Sequence, residues 1–384
     1  MQAKIDKLVP GGQALATLAD GKKAFLWNAL PGESVEFEIT KDKRSYCEGI
    51  ATQILQASPE RIAPRDDCYL ATSPWQILDY IAELNYKRQL VQDCFLQQHL
   101  ELEIQPTITD HEDFFYRNKM EYALYWNHDD SRIHLAFHSR GTHRKIPIAQ
   151  SSIERSEIFA RATAIINELN AQHAEARTYQ SLLLRCDQQG NVSGDLLVNG
   201  QSHPQMPSLH DTLNGYTYSY SPNGFFQINL PVYELVLQEI AKHITTQKVL
   251  DLYAGVGSIG LSAARDKELT LVEINGAAFA EMQHNAASTS ARCILAKSED
   301  VTDYITPDCT VILDPPRAGC DTKLIEKLNI VQPQTIIYLS CNPITQARDL
   351  AQLTANYCID LVQPYNLFPR TPHIENLCIL SKRH

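Results

Sequence analysis

Along the first 56 or so residues, short apolar runs alternate with turn pairs. Ala24-Phe25-Leu26-Trp27 and Ser34-Val35-Glu36-Phe37-Glu38-Ile39 are separated and flanked by Gly11-Gly12, Asp20-Gly21 and Pro31-Gly32. Five short strands in so little chain predict a small closed barrel of the OB type. From about Trp75 to Leu100 the pattern turns helical, with apolar residues at Ile77, Leu78, Ile81, Leu84, Leu90, Val91 and Phe95. Residues from about 104 to 205 read as mixed α and β, with strands at 120–126, 133–138 and 180–186 and a helix near 152–172. From about Asn223 the texture becomes strictly alternating. Val249-Leu250-Asp251-Leu252, Thr270-Leu271-Val272-Glu273, Thr310-Val311-Ile312-Leu313 and Thr335-Ile336-Ile337-Tyr338-Leu339 are continuous apolar strands separated by helical segments. That alternation predicts an α/β fold, a Rossmann-like, doubly wound parallel sheet preceded by a central α+β domain and the barrel. The expected units are 1–57, 58–207 and 208–384, with the 75–100 helix packed on the last.

A chain of 384 residues, 44% hydrophobic and 21% charged, has ample material for two or three cores. No stretch approaches the roughly 18 apolar residues of a membrane span, and Met1-Gln2-Ala3-Lys4-Ile5-Asp6 does not resemble a signal peptide, so a cytoplasmic, non-membrane protein is expected. The 10 cysteines contain no CxxC pair, which argues against a disulfide framework. His128, His134, His138 and His143 match no metal-ligand spacing. A net charge of −11 opposes nucleic-acid binding, although affinity depends on local basic faces. Such clusters exist at Lys41, Lys43 and Arg44, at Arg61 and Arg65, and at Arg140, His143, Arg144 and Lys145.

The chemistry gathers at the predicted strand ends. The first strand of the sheet runs into Asp251-Leu252-Tyr253-Ala254-Gly255-Val256-Gly257-Ser258-Ile259-Gly260. Glycines there let the backbone approach a ligand, and Asp251 suits a cationic ammonium better than a pyrophosphate. Glu273 ends the second strand and could take two ribose hydroxyls; Lys297-Ser298-Glu299-Asp300 could meet an adenine amino group. Together these resemble a class I S-adenosyl-L-methionine-dependent methyltransferase more than an NAD enzyme. The fourth strand delivers Asp314-Pro315-Pro316-Arg317, and the fifth ends in Leu339-Ser340-Cys341-Asn342-Pro343. A cysteine at that edge is where a nucleophile belongs, though position alone leaves a buried inert thiol equally open. Phe368-Pro369-Arg370-Thr371-Pro372-His373-Ile374-Glu375-Asn376 then presents a carboxylate between prolines. A thiolate and a base explain each other on an unreactive carbon such as uracil C5: addition to C6 makes C5 nucleophilic, and a base then removes the C5 proton. Cytosine C5 needs similar steps, whereas an exocyclic amine needs no cysteine.

DLYAGVGSIGL, VEIN, DPPRAGCD, SCNP and FPRTPHIEN, in that order, resemble the RNA uridine-C5 methyltransferases that make 5-methyluridine in ribosomal and transfer RNA. Tyr116-Arg117-Asn118-Lys119-Met120-Glu121 and Asn223-Gly224-Phe225-Phe226-Gln227-Ile228-Asn229 extend the likeness over nearly the whole chain. The resemblance implies Cys341 as nucleophile and Glu375 as base. It implies Gln227, Asp251, Tyr253, Gly255, Gly257, Glu273, Asp300 and Asp314 for the cofactor, and Phe225, Asp314, Arg317, Asn342 and Pro343 for a flipped uridine. Residues 1–56 are similar to a TRAM domain. Many TRAM-bearing relatives hold a four-iron, four-sulfur cluster on four cysteines; here Asp66, Leu70, Ser73 and Ser151 stand at those positions, so no iron–sulfur cluster is expected. The expected partner is RNA, ribosomal 23S before transfer RNA because bacterial-type transfer-RNA enzymes tend to lack the TRAM domain, and the expected state is a monomer. A non-catalytic RNA-binding or folding factor is the alternative from another class, opposed by the intact trio Cys341, Glu375 and Asp314.

Overall fold

A computed structural model describes every residue except 143, 174, 176, 177, 206, 207 and 384. His143 of the last basic cluster, and the boundary expected after residue 207, therefore lie outside the described residues. Strands β1 (Gln2–Leu8), β2 (Ala14–Thr17), β3 (Lys23–Trp27), β4 (Ser34–Asp42) and β5 (Tyr46–Gln56) close into a barrel in the order β1-β2-β3-β5-β4, with β4 returning antiparallel to β1. Alternate residues point inward, so Ala14, Ala16, Ala24, Leu26, Val35, Phe37 and Cys47 fill the interior.

A four-residue helix, α1 (Tyr69–Thr72), and a 3-10 turn (Pro74–Ile77) lead to α2 (Tyr80–Leu96). The helix expected from residue 75 thus starts five residues later. Asp79 fixes that start by accepting the backbone N–H groups of Ile81 and Ala82, while Trp75 and Ile77 bury themselves in the turn before it. Next comes an antiparallel sheet of β6 (Lys119–Asn127), β7 (Arg132–His138), β8 (Lys145–Pro147), β9 (Tyr179–Cys186), β10 (Val192–Val198) and β11 (Gln201–Gln205), in the order β11-β10-β9-β6-β7-β8. Helix α3 (Ser156–Ala171) covers it with Ile158, Ala162, Ile165, Ile166 and Leu169.

After the hairpin β12 (Leu209–Leu213) and β13 (Tyr216–Tyr220), the chain alternates α4 (Leu230–Lys242), β14 (Lys248–Leu252), α5 (Ser258–Ala263), β15 (Glu268–Glu273), α6 (Gly276–Ala286), β16 (Arg292–Leu295), β17 (Cys309–Leu313), α7 (Thr322–Val331), β18 (Thr335–Ser340), α8 (Pro343–Ala351), β19 (Tyr357–Tyr365) and β20 (Glu375–Lys382). The seven strands lie in the order β16-β15-β14-β17-β18-β20-β19. Five are parallel, the four apolar runs named above together with β16; β20 enters antiparallel between β18 and β19. That insertion positions the site, because the start of β20 is thereby laid against the carboxyl end of β18.

Candidate active site

The carboxyl edge of β14 and β15 has the form of a cofactor cradle. Asp251 is fully buried; one carboxylate oxygen accepts the Gly260 N–H at 2.8 Å, and the other has no partner. Burial pushes its carboxyl up to about 8, with the charges of Asp314 and Glu273 adding and the Gly260 hydrogen bond opposing. Gly260 itself has no room for a side chain, since a Cβ would stand 2.6 Å from Leu271 and 2.9 Å from the Asp251 carboxylate. Glu273, expected to take two ribose hydroxyls, also holds backbone: its oxygens accept the N–H groups of Gly255 at 2.8 Å and Asn275 at 2.6 Å. It thereby fixes the glycine turn, in which Gly255 and Gly257 take φ of 57° and 86°, and each oxygen keeps a second lone pair. Tyr253, also at positive φ, turns its hydroxyl toward Ser298 and the backbone at Asp321. Asp300 is exposed at the end of the 3-10 turn Ser298–Asp300.

The second half of the site forms around Cys341. In the β18–β20 ladder Ser340 pairs with Asn376, so the next residue of one strand and the preceding residue of the other, Cys341 and Glu375, are neighbours. Asp314 and Arg317 arrive from the loop after β17. Burial, then the charges of Glu375 and Asp314, push the Cys341 thiol up to about 11, while Arg317 opposes them by charge and a hydrogen bond. Glu375, only 5% exposed, is raised well above the usual carboxylate range by burial and by Asp314, again opposed by Arg317. Burial lifts Asp314 to about 7. Tyr233 of α4, absent from the sequence reading, is buried beside this group: burial and then the charge of Asp314 raise its phenol, and its hydroxyl shares a 2.9 Å hydrogen bond with Ser258. Asn342, expected at the substrate, has a structural task. Its amide donates to the Arg317 carbonyl at 2.8 Å and its side-chain oxygen caps α8 at Ile344. Pro343 is the first residue of that helix.

Two loops complete the site. In 223–229, Phe226 stacks on Tyr220 with centroids 4.3 Å apart. Arg185 donates to the carbonyls of Gly224 and Phe226 at 3.2 and 2.7 Å, and Asn118 to that of Gln227 at 3.0 Å. With its neighbours pinned, Phe225 projects outward, 70% exposed, and Gln227 is buried. In 366–375, the anchors come from far upstream. Both Glu83 oxygens accept the Arg370 N–H, at 3.0 and 3.1 Å; Lys87 donates to the Phe368 carbonyl at 3.0 Å; Tyr116 donates to that of Pro369, also at 3.0 Å. The Arg370 guanidinium pairs with Asp113 and donates to Leu78. His373 is driven down to about 4 by burial and by the positive charges of Arg317, Lys87, Arg117 and Arg140. Glu83 and Lys87 were missed, although an i,i+4 charged pair in line with Leu90 and Cys94 on a helical stripe was a visible signal.

Of the four residues that stand where relatives carry cluster cysteines, Asp66, Ser73 and Ser151 hydrogen-bond to other polar side chains nearby. One Asp66 oxygen accepts from the Ser152 N–H and hydroxyl and from Gln76, at 3.1, 2.8 and 2.9 Å; Gln76 also donates to Ser73, and Ser151 to Glu154. Among the described residues no group of three or more His, Cys, Asp or Glu is arranged to hold a metal ion.

With this geometry in view, the comparisons agree with one another. Residues 294–383 match the family model of tRNA (uracil-5-)-methyltransferases, and residues 232–331 that of the methyltransferase small domain. Over residues 294–383 the chain is thus similar to the tRNA (uracil-5-)-methyltransferases. It is 29% identical to an RNA methyltransferase of Bacillus cereus over 94% of this chain and 92% of that one, and 28% identical to one of Enterococcus faecalis over 100% and 97%. Both relatives are described as uncharacterized. Its fold is that of the Pyrococcus abyssi tRNA (uracil-54, C5)-methyltransferase, solved in complex with S-adenosyl-L-homocysteine: TM-score 0.80 at 23% identity, over 99% of this chain and 100% of that one. No helix among the described residues is long and apolar enough to cross a membrane.

Proposed function

We propose that this methyltransferase makes 5-methyluridine in RNA with S-adenosyl-L-methionine as methyl donor, through Cys341 and Glu375. The observation that carries the reading is the β18–β20 register, which makes those two residues neighbours under the joint influence of Asp314 and Arg317.

The cofactor fits the strand-end cradle. The unpartnered, buried oxygen of Asp251 suits an ammonium group, and a Cβ on Gly255 would meet nothing within 4 Å, so the turn is open for close approach. When bound, S-adenosyl-L-methionine supplies an electrophilic methyl group. Once its proton has passed to solvent, the Cys341 thiolate, favoured by Arg317, adds through sulfur to uracil C6, and the electron pair of the 5,6 double bond passes toward O4. C5 would then take the methyl group, leaving the cofactor as its neutral thioether, S-adenosyl-L-homocysteine. Glu375 removes the C5 proton, the C6–S bond breaks, the double bond re-forms and the thiolate is regenerated. A carboxyl raised well above its normal range is a strong base once ionised, as an unactivated C–H proton demands. Phe225, exposed at the tip of its loop, offers a ring on which an extruded uridine can stack.

Local basic and aromatic pairs support an RNA substrate despite the overall charge. Arg140 lies 4.2 Å from the Trp27 ring centroid of the barrel, and Arg65 lies 4.8 Å from that of Phe115. Large-subunit ribosomal RNA is the first target to test and transfer RNA the second; the barrel does not discriminate, because the archaeal transfer-RNA enzyme matches this fold over 99% of the chain. We place the enzyme in the cytoplasm as a monomer, and without an iron–sulfur cluster because Asp66, Leu70, Ser73 and Ser151 stand where relatives carry cysteines. The test is incubation with RNA containing 5-fluorouridine. Fluorine at C5 cannot leave as a proton, so a covalent protein–RNA adduct accumulates, and Cys341→Ala abolishes it. Methylation of normal uridine with no trapping of the analogue overturns the mechanism; nucleoside mapping in a deletion strain identifies the target.

A further inference from the structure

The loop that carries Glu375 is anchored by a buried ion group on a helix outside the seven-stranded sheet. Glu83 and Lys87 of α2 are both fully buried, 3.0 Å apart, and Arg370, five residues before Glu375, is 4% exposed. Glu83 receives the Arg370 backbone N–H on both oxygens and the Asn366 amide at 3.2 Å. Lys87 donates to Asn366 and to the Phe368 carbonyl. The Trp75 N–H donates to the Arg370 carbonyl at 3.0 Å, so the peptide is gripped from both sides. Arg370 itself takes φ of 62°, a conformation a non-glycine residue keeps only when its surroundings enforce it.

Burying such a group is costly, and an apolar pair of similar volume would often serve stability as well. The hydrogen bonds of Glu83 and Lys87 go to one loop, to the backbone at Phe368 and Arg370 and to the Asn366 side chain. We propose that Glu83, with Lys87, is a positioning residue for Glu375, holding the 366–375 loop so that the carboxylate meets the C5 proton after methyl transfer. This inference rests on the uracil-C5 reaction proposed above. It assigns the effect to one stage: cysteine addition and methyl transfer rely on Cys341, Arg317 and the cofactor cradle, whereas resolution of the adduct relies on where Glu375 stands.

The test is single-turnover reaction of the full-length enzyme with RNA and methyl-labelled cofactor, following denaturation-resistant protein–RNA adduct and free methylated RNA separately. In Glu83→Gln the first methyl transfer should change little, while adduct resolution slows on the order of 10- to 100-fold, so labelled adduct accumulates on normal uridine. A general structural lesion would slow both stages together. Should Glu83→Gln fail to fold, Glu83→Gln/Lys87→Met removes the stranded charge and is expected to show the same accumulation. Resolution at the wild-type rate in a folded variant, or equal loss of both stages, overturns the positioning role. Failure of the wild type to trap 5-fluorouridine RNA instead overturns the reaction on which it rests, and the two failures are read in separate arms.

Discussion

Gly12 of the barrel lies directly against Pro372 of the loop that carries Glu375: a Cβ on Gly12 would stand 2.1 Å from the proline Cβ. The Gly12 carbonyl also accepts the Trp75 indole N–H at 3.1 Å, and Trp75 in turn grips Arg370. The module expected to meet RNA and the loop expected to hold the base are therefore in van der Waals contact.

Gly12→Ala tests this contact. Both Gly12 and Gly21 have positive φ, 88° and 84°, but a Cβ on Gly21 meets nothing within 4 Å. Gly21→Ala thus measures backbone strain alone, about 1 kcal/mol. Gly12→Ala should cost a further ~1–3 kcal/mol from overpacking and should also slow turnover. Urea unfolding and methylation rates of the two variants check it; equal behaviour removes the coupling.

The thiol of Cys341 should still be titrating at pH 9, because burial and two carboxylates hold it up to about 11. Alkylation by iodoacetamide, corrected with Cys341→Ala, is therefore expected to keep accelerating from pH 7 to 10. Arg317 is the group that lowers this value. Arg317→Gln should shift the profile to still higher pH and slow alkylation a few-fold at any pH below it; a plateau by pH 8 in the wild type contradicts the assignment.

Most of the sheet was legible because its strands are buried on both faces and read as unbroken apolar runs, from Val249–Leu252 to Thr335–Leu339. The barrel was legible through its turn pairs. The start of α2 was not: Trp75 and Ile77 continue the apolar periodicity into a 3-10 turn, and only Asp79 marks the true N-cap. Motif spacing pointed to Cys341 and Glu375; the charged pair on the apolar stripe of α2 could mark Glu83 as buried, but not that its partner is a loop nearly three hundred residues later. Glu273 and Asn342 show the converse, since residues read as ligand contacts also hold backbone in the free protein.

The Asp66 network predicts a protein that does without a metal. Asp66 joins segment 64–76, which carries Trp75, to segment 150–154. Asp66→Ala leaves the Ser152 and Gln76 donors unpaired in a buried site and should cost about 1–3 kcal/mol. Chelators should leave the melting temperature of the wild type unchanged, and anaerobically purified protein should carry no stoichiometric iron or acid-labile sulfide. Iron at four per chain would refute this.

Asp251 makes the free protein sensitive to alkali. Its carboxyl titrates near 8 in the folded chain and near 4 when unfolded, so between those values the folded state holds the extra proton. Stability from this group is then present at low pH and lost as pH rises toward 8, with a slope of up to ~1.4 kcal/mol per pH unit. Asp251→Asn retains an oxygen for the Gly260 N–H but cannot ionise. Denaturant midpoints between pH 5 and 9 should fall less steeply in that variant than in the wild type. A cationic ligand seated at the carboxylate favours its ionised form, so S-adenosyl-L-methionine should stabilise the wild type more at pH 8.5 than at pH 6, and Asp251→Asn should lose that difference. Equal ligand-induced shifts at the two pH values would remove Asp251 from the ammonium site.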